Sequence, residues 1–137
     1  MQFFLSGELE TQVASDWMRV SNRVEKKLNE FFLDRDYGPA IHEIGIIPMI
    51  LHPERQHNRR ERRLFQRKQK AADYRTWIDF EKVKAGSDEL REKLLLKNIL
   101  EAVTDLARKA GKAFTGERLI EDMLALFQVS RQEIESA

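Results

Sequence analysis

Apolar side chains recur at Val13, Trp17, Val20, Val24, Leu28 and Phe31, at spacings of four, three, four, four and three residues. Such spacing lines one face of a helix and predicts a helix over residues 11–32. Arg19, Arg23, Glu25, Lys26, Lys27 and Glu30 fall on its other sides, so the helix is expected at the surface with one stripe against the core. Burying that stripe is worth at most about 10 kcal/mol before chain entropy is counted. The run Asp34-Arg35-Asp36-Tyr37-Gly38-Pro39 ends it, because glycine and proline do not continue helical geometry.

The pattern changes elsewhere. Residues 3–9 are aromatic and then broken by Gly7, which predicts a short strand. Residues 41–51 are β-branched and apolar, with Gly45 and Pro48 inside them, and read as a second strand. Pro48 cannot donate to a ladder, which predicts an edge strand or a bulge there. Residues 73–83 alternate, with Tyr74, Thr76, Ile78 and Phe80 on one face and Arg75, Trp77, Asp79 and Glu81 on the other. With residues 61–70 they are expected to form a hairpin turning near Ala71-Ala72-Asp73.

Helices follow. Ser87 is placed to cap a long one carrying Leu96, Ile99, Leu100, Val103, Leu106, Ala107 and Ala110, and Gly111 fits the position past its end. Another starts at Thr115-Gly116-Glu117 with Leu119, Ile120, Met123, Leu124 and Phe127 inward. Ser130-Arg131-Gln132-Glu133 has capping-box spacing for a last short turn. The expected fold is α+β: an antiparallel sheet of about four strands with helices packed mainly on one face.

Length and composition narrow the picture. A chain of 137 residues, 42% hydrophobic, suits one α+β domain over 1–137. It has no cysteine, which removes disulfides, thiolate metal sites and cysteine nucleophiles and fits a reducing compartment. Residues 1–8 have no basic leader, and their apolar run is far shorter than a signal peptide or membrane helix, so a cytoplasmic location without membrane contact is expected.

Net charge is +1, but the charge is unevenly spread. Between residues 54 and 70, eight bases (Arg55, Arg59, Arg60, Arg62, Arg63, Arg67, Lys68, Lys70) face two acids, Glu54 and Glu61. That local excess of six leaves −5 on the rest of a chain whose total is +1. Clustered arginines suit phosphate, a protein partner, or a solubilising edge strand that blocks unwanted pairing. Phe65 is the only aromatic among them, which weighs against nucleic acid.

Catalytic chemistry is hard to find. The three histidines, His42, His52 and His57, match no ligand spacing, and the latter two stand among arginines that repel a cation. Asp79 and Glu81 near Arg75 read as a charge ladder rather than an acid-base pair. Glycine-rich phosphate loops and nucleophile elbows are missing from the sequence. No enzyme activity, cofactor or metal is therefore expected. Trp77, ringed by charges on the expected open sheet face, has the character of an interface anchor.

Three segments, read in order, carry a resemblance. They are Asp73-Tyr74-Arg75-Thr76-Trp77-Ile78-Asp79-Phe80, then Asn98-Ile99-Leu100-Glu101-Ala102-Val103, then Phe114-Thr115-Gly116-Glu117-Arg118-Leu119-Ile120-Glu121-Asp122-Met123. Together they resemble the Immunity protein 44 family of bacterial polymorphic-toxin systems. The resemblance implies a protein that neutralises a cognate toxin domain by stoichiometric occlusion, and it implies no catalytic residues. The expected contact residues are Arg63, Arg67, Lys68, Arg75, Trp77, Asp79 and Glu81. The alternatives are a nucleic-acid-binding protein using residues 55–70 and a structural domain that self-associates, for example as a homodimer.

Overall fold

The computed structural model describes residues 1–5, 14–51 and 73–137. Strand β1 (Gln2–Leu5) leads to helix α1 (Ala14–Phe32), then β2 (Glu43–Leu51) and β3 (Asp73–Asp79). Helix α2 (Phe80–Ala85) follows β3 directly, then α3 (Asp88–Ala110), a 3-10 turn (Gly111–Ala113), α4 (Gly116–Phe127) and α5 (Arg131–Glu135).

The sheet has the order β1-β2-β3, and both pairings are parallel. This overturns the expected α+β antiparallel sheet of about four strands: the described strands number three, and far more residues lie in helices than in strands. The reason lies in the connections. A parallel neighbour needs a crossover of a dozen or more residues, and α1 supplies one between β1 and β2, making a βαβ unit. The 61–70 arm of the expected hairpin lies outside the described residues, whereas β3 itself runs parallel to β2.

Two further expectations are corrected. The strand read over 73–83 stops at Asp79, and Phe80–Ala85 coil into α2, with Val83 buried in the core. Its last carbonyls gain a buried partner, since Arg91 Nε donates to the Val83 carbonyl at 3.1 Å. The second correction concerns Pro48, which lies in the central strand rather than at an edge. The His42 carbonyl accepts from Gln2 N–H, so even-numbered positions of β2 address β1. Among the described residues the β1 register ends at Leu5↔Ile46, so the missing N–H of Pro48 faces no described β1 carbonyl.

The predicted stripe of α1 is buried at Trp17, Val20, Val24 and Leu28, and Phe32 replaces Phe31 as its last fully buried member. It packs on β1 and against α3, meeting Phe3, Leu5, Ile44 and Ile46 of the sheet and Leu95, Leu96, Ile99 and Val103 of α3 in one core. Leu119, Ile120, Met123 and Phe127 of α4 and Ile134 of α5 join that core through their packing on α3. The caps match the sequence reading. Ser87 Oγ accepts from Leu90 N–H at 3.2 Å, Ser130 Oγ accepts from Glu133 N–H at 3.1 Å, and Gly111 ends α3 at a φ of 59°.

Gly38 fixes the loop between α1 and β2. Its φ is +128°, and a Cβ there would stand 2.2 Å from the Ala113 carbonyl oxygen. On either side of it, Tyr37 O accepts from Thr115 N–H at 2.7 Å and Ala113 O accepts from Ala40 N–H at 3.2 Å. Gly38→Ala is therefore expected to cost about 2–5 kcal/mol through backbone strain and overpacking. Gly111→Ala meets open space, so it should cost only the strain of its positive φ, about 1–2 kcal/mol. Urea unfolding of both variants measures the contrast, and equal losses would contradict it.

Candidate functional site

The sheet separates two sets of positions. Phe3 and Leu5 are buried, and so are their register partners Ile44 and Ile46. The residue between, Phe4, is 45% exposed and pairs with Gly45, which in turn pairs with Asp73. The row Phe4–Gly45–Asp73 thus belongs to the side of the sheet away from the α1 core. Continuing along β2 and β3 with the same parity, the register pairs Ile47 with Arg75, Met49 with Trp77 and Leu51 with Asp79.

Three of the expected contact residues, Arg75, Trp77 and Asp79, hence occupy consecutive alternate positions of β3, opposite in parity to the β2 residues that enter the core. Glu81 is separated from them. It lies on α2, exposed, after the strand has ended. Arg63, Arg67 and Lys68, with the whole basic tract 54–70, lie outside the described residues. Phe4 was missed as a contact candidate, although the alternation Phe3-Phe4-Leu5 beside a long apolar helix was the signal for it.

The charged side chains on the helical side link α1 to α3. Arg19 of α1 binds both carboxylate oxygens of Asp88 at the start of α3, and also Asp16 at 3.1 Å. Asp88 accepts in addition from the buried Arg91 at 2.9 Å, and Arg23 donates to Glu92 at 2.8 Å. Asp88 stands in the first turn of α3, where a negative charge suits the helix dipole. The Arg19 guanidinium, with help from Arg91, holds the Asp88 carboxyl below its ordinary range.

A second polar cluster joins the Tyr37 loop to α4. The Tyr37 hydroxyl donates to Asp122 at 2.6 Å, Arg35 lies 3.7 Å from the same carboxylate oxygen, and the Arg35 guanidinium stacks 4.0 Å over Phe31. Burial, reinforced by the neighbouring carboxylate, pushes the Tyr37 phenol up to about 12. Tyr37 itself is enclosed, its ring 5.7 Å from Phe32.

The segments behind the resemblance now have physical roles. Phe114 and Leu119 are buried, and Gly116 brings α4 so close to α3 that a Cβ would lie 2.6 Å from the Ala107 methyl. Asp122 receives the Tyr37 hydroxyl, while Asn98, Ile99 and Leu100 are buried on α3. These are framework residues. The carboxylates of the two clusters, Asp16, Asp88, Glu92 and Asp122, are each engaged by arginine or tyrosine donors. His42 is exposed beside β2, and His52 and His57 lie outside the described residues. Among the described residues, no group of three or more His, Cys, Asp or Glu side chains is arranged to hold a metal ion, and no described helix is long and apolar enough to cross a membrane.

The family model described as Immunity protein 44 matches residues 1–129 of the 137. No curated protein and no solved structure matches the chain.

Two titration outcomes follow from these clusters. Replacing Asp88 with Asn should flatten the acid limb of stability. A carboxyl held low in the folded state contributes stability that is present above its unfolded value and lost as pH falls through the folded one. The midpoint of urea unfolding between about pH 5 and pH 2 reads this, and an identical acid slope in D88N would refute it. For Tyr37 the sign is opposite. Its raised phenol stabilises the neutral form, so its contribution is present at neutral pH and is lost as pH rises toward about 12. In an ultraviolet phenolate titration, one of the two tyrosines should ionise late. Y37F should remove that phase and cost about 1.5–3 kcal/mol, as expected for a hydrogen bond to a charged group.

Proposed function

The chain belongs to the Immunity protein 44 family, and from that membership we propose that it binds and neutralises a cognate bacterial toxin domain by stoichiometric occlusion. The mechanism breaks no bond. A preorganised surface covers roughly 800 Å² of the toxin, with a few residues supplying most of the energy. The observation that supports the site is the parity of the sheet: Arg75, Trp77 and Asp79 alternate with the positions that take core register, with the same parity as the row that holds the exposed Phe4.

In this reading Trp77 is the anchor, Arg75 and Asp79 fix orientation through charge pairs, and Glu81 contributes from the start of α2. Arg63, Arg67 and Lys68 of the basic tract extend the contact toward acidic groups on the toxin. Opposite charges across such an interface speed encounter and reject wrong partners more than they add affinity. The protein acts beside the toxin's own synthesis, in the cytoplasm, and needs no cofactor.

Titration calorimetry of the chain against the toxin domain encoded by the neighbouring gene is expected to give a one-to-one complex. Trp77→Ala should weaken it by about 2 kcal/mol, roughly thirtyfold. Arg75→Ala should mainly slow association at low salt. An unchanged affinity in both variants would move the interface elsewhere on the molecule. If no toxin binding is seen, and generic RNA or DNA binds with an affinity that collapses as salt rises, the basic tract is a phosphate-binding surface and the immunity reading fails.

A further inference from the structure

Among the described residues, strand β1 lies at one end of the sheet order, with β2 on one side only. Its inward N–H groups are used: Gln2 N–H donates to the His42 carbonyl at 2.9 Å. In an extended chain the next residue presents its N–H and C=O to the opposite side, so Phe3 and Leu5 address the outer edge. Such an edge is a template for another strand, and natural sheets block it with charge, twist or a covering element.

Here the covering groups are side chains of α1. Asn29 Oδ1 accepts from Phe3 N–H at 2.8 Å, and Asn29 Nδ2 donates to Phe3 C=O at 3.0 Å. One primary amide thus makes the two bonds that a residue of a neighbouring strand would make. One turn earlier on α1, Glu25 Oε1 accepts from Leu5 N–H at 3.1 Å. The helix that crosses from β1 to β2 folds back to occupy the edge of the strand it came from.

We infer that Asn29 and Glu25 form an edge guard, a side-chain substitute for a β-strand, which prevents β1 from pairing with β1 of a second copy of this chain. The guard is local. Asn29 and Glu25 are half-buried, and they stand beside the buried stripe of Val24 and Leu28 without belonging to it. Their amide and carboxylate groups satisfy β1 backbone, so losing them frees that backbone without removing core volume. The claim concerns the β1 edge only and does not depend on which surface meets a toxin.

The test combines hydrogen exchange with mass. Asn29→Leu, branched at the same carbon but unable to bond, should speed exchange of the Phe3 amide about tenfold and leave Gln2, bonded to His42, unchanged. Asn29→Asp restores an acceptor and should return Phe3 to slow exchange. Glu25→Ala should speed Leu5 alone. The double variant N29L/E25A, examined by light scattering, should gain mass with concentration relative to the wild-type chain. A folded double variant whose mass is as independent of concentration as the wild type's would overturn the inference. Should the double variant not fold, the single ones decide, and a Phe3 amide in N29L or a Leu5 amide in E25A as slow as in wild type sinks the idea.

Discussion

The apolar stripe of α1, running through Trp17, Val20, Val24, Leu28 and Phe32, is buried against β1 and against α3 at once. Because the helix is the crossover between β1 and β2, this one contact also decides that those strands run parallel. The ionic lattice of Arg19, Arg23, Asp88, Arg91 and Glu92 then sets how far α1 and α3 slide along each other. The bonds are mostly exposed, so they select a register between two helices more than they stabilise it.

Helices were legible because their signals are local. The spacing of Val20, Val24 and Leu28, the cap at Ser87, and Gly111 past the end of α3 are each decided within one or two turns. Strand direction is not local. Nothing within residues 43–51 or 73–79 says whether the neighbour runs up or down; the length of the connection says it, and β1 and β2 joined through α1 run parallel rather than antiparallel. Phe80 shows a second limit. Its place in the alternation Tyr74, Thr76, Ile78 continues the strand pattern, yet tertiary packing of Val83 and the donor from Arg91 pull the chain into a helix one residue after Asp79.

Of the candidate site, the sequence showed an alternation but not the row it belongs to. The register supplies that parity, through the pairing of Phe4 with Gly45 in one row and of Met49 with Trp77 in another. The segments that resembled the family proved to be mostly structural: Gly116 for the close approach of α4, Asp122 for the tyrosine latch, Ile99 and Leu100 for the core. On the proposed reading, an occlusive inhibitor has reason to be built this way. Residues that maintain the scaffold are constrained by packing, whereas residues that meet a partner are free to track that partner's surface.

The junction between β3 and α2 has a mechanical consequence. The strand passes into the helix with no intervening loop, and the helix is pinned by the buried Val83 and by Arg91 on its carbonyl. A strand seated so firmly has little slack. The C-terminal end of β3 is thereby tied to the core, and a strand end anchored in this way leaves less backbone disorder to quench on any encounter.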